Sequence, residues 1–486
     1  MAIVKLTLLH SNDMHGAFLP KEISGKQSAG LPLLSGYVKK ARKEEENVVY
    51  AIAGDMFRGS IIDSEYLGLS TIDLVNVLEP DVATLGNHEV DYGIAHLLFL
   101  EKCAKFPIIC ANIFVTLNNT RLFTPYLNVE AGGLRILFIG ILTEEVLAST
   151  RTEKVIGTFI DIDEAVREVG VICDNYRTKD TNLTVLLTHI GIEKDKELAS
   201  KLNPDFGVDL IIGGHSHTFM AEPEVVNDIP IVQAGTGTGI IGRFDILYDT
   251  LTHEINDLKW QCVPINEDTA EADPIMEEIL EGYRSETDKK YKRVVTRLAR
   301  KLTHPARNQE TELGNLYADM LQVDSSFDIM LMGSGSIRKE EFGPIVEYQD
   351  MLENTPFDDL LWMLKVSGAQ FRKMVKFILR DEAWEGHTEF YQFSKGVHIV
   401  YRKSTRMLEK LEYNGEPVRD DQEILIALQN YHYKNFDEFF GLPLAEVCRN
   451  MKPRVIATSV NNIFEEYFST HQGLDAQVEG RITILE

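Results

Sequence analysis

The sequence predicts an α/β layered domain followed by a second domain of mixed α and β structure. Three observations predict it. At 486 residues the chain is too long for one hydrophobic core. Its first half alternates short Val-, Ile- and Leu-rich runs with stretches of helical periodicity. From about residue 300 helices and strands follow one another in no such regular order.

The elements follow in chain order. "IVKLTLLH", "NVVYAIAGD", "FPIICANI", "RILFIGIL", "LTVLLTHIG", "VDLIIGGH" and "IPIVQAG" are strand candidates, short and bounded by Gly, Asn or Asp. "LPLLSGYVKKARKEEE" and "STIDLVNVLE" carry helical periodicity between them. "GRFDILYD" and "INDLKWQCVPI" close the region as strands. A charged helix follows in "ADPIMEEILEGYRSETDKKYKRVV", with Asp273 as N-cap and Pro274 as its first residue. In the second half "TELGNLYADML" and "SGAQFRKMVKFIL" read as helices, and "FDIMLMGS", "GVHIVYR" and "EILIALQNY" as strands. The expected domains are therefore 1–268 and 301–486, with 269–300 a helical linker.

Composition limits the function classes. A net charge of −26 argues against a surface that wraps nucleic acid, though not against a small anion held in a local pocket. The five cysteines are scattered and form no CxxC pair, so reduced thiols are expected. The start, "MAIVKLTLLH", is too short an apolar run for a signal peptide. No stretch reaches the ~18 apolar residues of a spanning helix. As written, the sequence is expected to be cytoplasmic and free of the membrane.

The chemistry-bearing residues gather where strand candidates end. "LLHSNDMHG" carries Asp13 and His15, "YAIAGD" Asp55, and "ATLGNHE" Asn87 and His88. "LLTHIG" carries His189, and "IIGGHSHT" carries His215 and His217. In open α/β architectures such ends converge on one rim, where sites are built. Flanking glycines (Gly16, Gly54, Gly86, Gly213, Gly214) let the backbone turn and approach closely. One histidine alone is more often a core residue than a ligand; five such clusters in chain order are not chance. Nitrogen and oxygen donors without thiolate suit Zn, Mn, Fe or Mg. The donors exceed one four-coordinate ion and fit two divalent ions sharing a carboxylate, the usual clamp for displacement at phosphorus.

The same residues, in the order DxH, GD, GNHE, a lone His and GHSH, resemble the calcineurin-like metallophosphoesterases. With "GSGSIR", "NTPFDDLLWMLKVSGAQF" and "FSKGVHIVY" added, nearly the whole chain resembles the 5′-nucleotidase branch. The resemblance implies a four-layer αββα metal domain followed by a nucleoside-binding C-terminal domain. It implies that Asp13, His15, Asp55 and His217 hold one metal and Asp55, Asn87, His189 and His215 the other, with Asp55 bridging. It further implies hydrolysis of nucleoside 5′-monophosphates by in-line attack of a metal-bound hydroxide. His88 is left over, with Asp91 three residues on. An acid beside His raises the imidazole pKa, and the family uses its matching pair at the phosphoryl group. Glu89 stays unassigned and is expected to point away from the ions or to buttress the loop.

For the substrate, the resemblance assigns Arg338, which ends "GSGSIR", to a contact, where a Gly/Ser loop lets a guanidinium approach a phosphate. For the two rings that sandwich the base it offers Tyr391, or Phe390 if the register slips by one residue, and Tyr431, with Asp437 kept beside the latter. The chain departs from the family at Gly333, where Asn is usual, at Gln309, for which Arg307 is a substitute, and at "NFDE", which replaces a glycine-rich core. "GTGTGIIG" contains GxGxxG at Gly237, Gly239 and Gly242, but a strand candidate follows it where a dinucleotide site needs a helix. The expected partner is a small nucleotide or nucleoside, not a nucleic-acid polymer. The competing readings are a 2′,3′-cyclic nucleotide phosphodiesterase, a sulfur–sulfur hydrolase and a nucleoside-binding protein without activity.

Overall fold

The computed structural model describes residues 3–23, 25–115, 118, 120–143, 158–159, 161–322, 326–380, 389–449 and 451–486. They divide into two compact units, 1–287 and 288–486.

The first unit is built on two six-stranded sheets. In one, strands Ile3–Ser11, Val48–Ala53, Val82–Thr84 and Ile108–Ile109 run parallel, and Ile240–Asp249 and Glu254–Pro264 add antiparallel at the edge. In the other, Leu134–Leu142, Thr181–His189, Leu210–Ile212 and Ile229–Val232 run parallel between two antiparallel edges. Strand alternation builds the layers. Val49, Ala51 and Ala53 pack between the sheets against Leu183, Val185 and Leu187. Tyr50 and Ile52, pointing the other way, pack under helices Leu31–Glu44 and Leu69–Leu78. Leu186 and Ile211 pack under helices Ile162–Tyr176 and Ile192–Lys201. The result is the four-layer αββα arrangement. Both faces of each sheet are covered, which is why the central strands read as unbroken apolar runs.

Helix Pro274–Tyr291 begins as the sequence predicts: Asp273 accepts the N–H of Ile275, and Met276 and Leu280 join the first unit's core. The second unit centres on a five-stranded mixed sheet, in the order Tyr391–Phe393, Ile329–Gly333, Glu423–Gln429, Leu361–Ser367 and Arg454–Ala457. Ile329, Leu331 and Ile426 face helix Gly368–Ile378. Met330, Met332 and Ala427 face helices Glu312–Leu321 and Val460–Thr470. A four-stranded sheet that includes Val397–Arg402 and Ile482–Leu485 completes the unit. All five cysteines are free. Among the described residues no helix is long and apolar enough to cross a membrane.

Candidate dimetal active site

The parallel strands of both sheets end on the same side of the first unit, and five of them, Ile3–Ser11, Val48–Ala53, Val82–Thr84, Thr181–His189 and Leu210–Ile212, end at the sequence clusters. Ser11 lies beside Ile52, Ala53 beside Thr84, and Leu142 beside His189. Asp13, Asp55, Asn87, His189, His215 and His217 follow these ends within a few residues. Five of the expected ligands adopt left-handed backbone: Asp13 (φ 50), His15 (45), Asp55 (52), His215 (79) and His217 (54). That conformation costs a non-glycine residue about 1 kcal/mol. A tight net of backbone bonds holds it. Asp13 N–H donates to Gly54 O (3.1 Å), His15 N–H to Asp55 O (3.0 Å) and Gly237 N–H to Asp13 O (2.8 Å). The glycine-rich 235–242 segment is thus a turn that clamps Asp13 and leads into strand Ile240–Asp249, not a helix. Gly86 is extended (φ −109), so it is needed for space rather than for its turn. A Cβ there would lie 2.2 Å from Asp55 Oδ1.

The seven expected ligands come together around Asp55. On one side His15 Nε2 and His217 Nε2 are 2.9 Å apart, 3.8 and 3.4 Å from Asp13 Oδ1, with Asp55 Oδ2 3.6 Å from His15. On the other, His189 Nε2 is 3.1 Å from Asp55 Oδ2, and His215 Nδ1 is 2.7 Å from Asn87 Oδ1. Asp13 and Asp55 are buried, as is His189. The His189 ring donates from Nδ1 to Ala53 O (2.8 Å), which leaves the Nε2 lone pair inward with no hydrogen bond. An orphaned buried nitrogen, two imidazole nitrogens facing each other and two buried carboxylates fit a pair of divalent cations. Asp55 and Asp13 both reach the two histidine groups, Asp55 more closely: its Oδ2 is 3.6 Å from His15 and 3.1 Å from His189, whereas Asp13 Oδ1 is 3.8 Å from each.

His88 sits at the rim. Its Nδ1 is 2.7 Å from Asp91 Oδ2, and a ring nitrogen lies within 4.8 Å of ligand atoms of His15 and Asp55. The hydrogen bond to Asp91 raises the His88 pKa against the effect of burial. Burial alone would push the Asp91 carboxyl up; the His88 bond and charge, and then Arg58, outweigh it and hold it low. Glu89 does buttress the loop. Its buried carboxylate accepts the N–H groups of Gly86 (2.6 Å), Met56 (2.7 Å) and Asp55 (3.0 Å), tying the Asp55 loop to the Asn87 loop. Burial, with the Asp55 charge added, pushes this carboxyl up to about 7. Two further residues escaped the sequence reading. Asn12 bridges Asp13 Oδ2 (2.7 Å) to Gly235 O (2.8 Å). Gln233 links the Gly214 carbonyl to Ser216 and thereby steadies the GHSH loop.

The second unit carries a cavity of about 660 Å³ lined by Arg307, Arg338, Phe357, Glu389, Tyr431 and His432, among others. Of the residues expected at the substrate, Arg338 and Tyr431 line this cavity. Phe357, which it missed, is 45% exposed against 57% for Tyr431, and the Arg338 guanidinium lies 4.9 Å over its ring. Tyr391 requires a correction. It is fully buried in the core, its hydroxyl 2.9 Å from His432 Nδ1, and no face is open to a ligand. Residues 391 and 393 share the strand face that packs on helix Gly368–Ile378. Asp437 also falls outside the cavity lining: its carboxylate accepts the Leu444 N–H at 2.6 Å and caps the following turn. The Gly333 departure has a physical reason. A Cβ there would meet His432 Nε2 at 2.2 Å, so the imidazole occupies the space of the missing side chain. Burial lowers that imidazole to about 4, which keeps it neutral.

Two family models match the chain: the calcineurin-like phosphoesterase over residues 6–219 and the 5′-nucleotidase C-terminal domain over residues 291–442. The chain belongs to the two-domain calcineurin-like phosphoesterases of 5′-nucleotidase type. This phosphoesterase is 28% identical to a 5′-nucleotidase-related protein of Glossina morsitans morsitans, covering 99% of this chain and 94% of the relative. It is 25% identical to 5′-nucleotidase of Homo sapiens over 98% of this chain and 90% of the relative. In fold it is similar to a 5′-nucleotidase precursor from Thermus thermophilus, at TM-score 0.62, 24% identity and 99% coverage of both chains. It is a metal-dependent phosphoesterase, and the cluster around Asp55 holds its candidate metal-binding residues.

Proposed function

We propose that the chain hydrolyses nucleoside 5′-monophosphates to nucleoside and phosphate, with the base held between Phe357 and Tyr431. The observation that carries this is the cavity of the second unit. Two exposed aromatic faces and the guanidinium groups of Arg307 and Arg338 line one pocket. Aromatic faces take a base of any kind by stacking, and guanidinium groups take anionic or carbonyl oxygen. The cluster around Asp55 serves the phosphoryl group. Asp13, His15, Asp55 and His217 would hold one cation, and Asp55, Asn87, His189 and His215 the other. When bound, the pair supplies charge neutralisation and a water acidified enough to be a nucleophile. His88 and Asp91 form the chain's own contribution at phosphorus. Asp91 accepts the Nδ1–H of the imidazolium, and Nε2–H donates to a phosphoryl oxygen as negative charge builds there.

The test is phosphate release from a panel of 5′-, 3′- and 2′,3′-cyclic nucleotides with Mn²⁺, repeated on Phe357→Ala and Tyr431→Ala. The 5′-monophosphates are expected to turn over fastest. Each aromatic loss is expected to raise KM roughly tenfold, with kcat little changed, because stacking is worth about 1–3 kcal/mol per base. Turnover confined to cyclic nucleotides, or a KM indifferent to both rings, would refute the assignment.

A further inference from the structure

Asp91 serves a second side chain. The oxygen that lies 2.7 Å from His88 Nδ1, Oδ2, is also 3.0 Å from Nε of Arg58. Arg58 is outside the ligand set and outside the His88–Asp91 pair, yet it is held from several directions. Its φ is +67°, left-handed for a residue with a side chain, and such a conformation persists only where contacts enforce it. Its N–H donates to Asp63 Oδ2 at 2.9 Å. Asp63 is fully buried and also accepts the hydroxyls of Tyr92, at 2.6 Å, and Thr71. The Arg58 guanidinium in turn lies 4.6 Å over the Tyr92 ring. One buried carboxylate therefore fixes both the backbone that launches the arginine and the ring on which it lies. The segment also abuts the first ligand loop: a Cβ at Gly59 would meet the His15 carbonyl oxygen at 2.2 Å.

We propose that Arg58 is a positioning residue for the reaction at phosphorus: it fixes the Asp91 carboxylate and, through it, the orientation of the His88 ring. A half-buried carboxylate bonded to one partner keeps its side-chain torsions. With a guanidinium and an imidazole on the same oxygen, and the guanidinium fixed on Tyr92, one orientation remains. His88 then presents Nε2 away from Asp91 in each turnover instead of sampling other rotamers. The inference rests on His88 acting at the phosphoryl group.

The experiment measures kcat and KM for adenosine 5′-monophosphate in Arg58→Ala and Arg58→Lys, each alone and combined with Asp91→Asn, together with metal content. It adds the ring ¹⁵N spectrum of His88 in metal-free protein, assigned by its loss in His88→Ala. Arg58→Ala is expected to lower kcat roughly 10–100-fold with KM and metal content unchanged, the range for removing a supporting partner. Arg58→Lys should recover most of the loss, because an ammonium can also donate to Asp91. With Asp91 already replaced, the same change should cost less than about twofold, since the two residues act as one unit. At a pH where the ring is neutral, its signals should move from one tautomer toward averaging between the two. A rise in KM with kcat kept would assign the guanidinium to substrate binding and overturn the proposal. Additive losses, depleted metal or an unchanged ring spectrum would overturn it too. If Arg58→Ala does not fold, Arg58→Met, which keeps the stem without a donor, reports the loss, with Arg58→Lys again the recovery. Wild-type turnover checks the underlying reading, while the ring spectrum needs no turnover, so the two fail separately.

Discussion

Asp55→Ala is expected to cut turnover by roughly 10³-fold or more and to bring bound metal below two ions per chain. The size of the effect follows from the position of the residue. Asp55 Oδ2 is 3.6 Å from His15 Nε2 and 3.1 Å from His189 Nε2, so one carboxylate serves both groups of donors. Its loss removes a negative charge from between them. Its Oδ1 also accepts the His88 N–H at 2.9 Å, so the rim loop loosens as well. Metal analysis on the purified variant, beside its kcat, separates the two consequences. Two retained ions with normal turnover would remove Asp55 from the centre of the account.

His88→Ala is expected to lower kcat by ~10²-fold or more with both metals retained. His88 lies close enough to His15 and Asp55 to be mistaken for a ligand. What separates it from the ligands is Asp91, which engages its Nδ1 and raises its pKa above the ordinary 6.5. The sign of the pH dependence follows. The donor form is the protonated one, so kcat should fall as pH rises through this raised pKa. Asp91→Asn replaces the carboxylate that raises it with a neutral amide and should move that limb to lower pH. Metal loss in His88→Ala would make His88 a ligand; unchanged kcat would remove its role at phosphorus.

The candidate metal centre is legible in the sequence, and the cavity of the second unit only partly so. Asp13, Asp55, Asn87 and the histidines stand at strand ends in short dense motifs, where fold and chemistry point the same way. Nothing in the sequence shows that Asp13 and His15 are held in left-handed backbone, because the clamp on Asp13 comes from Gly237, more than two hundred residues on. Glu89 was equally hard to assign. An acid in a loop becomes a brace only when the N–H groups of residues 55, 56 and 86 converge on it. In the second unit, Tyr391 and Phe393 sit on a strand whose inner face is core, so their aromatic character carried no information about a ligand. Phe357 stands in a Pro-Phe-Asp-Asp loop without periodicity, and only its exposure beside Arg338 marks it. The glycine-poor "NFDE" segment turned Asp437 to a local cap, as its bond to Leu444 shows.

The most direct test of the dimetal centre is a reconstitution titration. The protein is stripped with chelator, and hydrolysis of a 5′-monophosphate is followed as Mn²⁺ is added to known chain concentration. The stripped protein is expected to show no turnover, and activity is expected to return and saturate at two equivalents per chain. Full turnover after stripping, or saturation at one equivalent, would contradict a two-ion site.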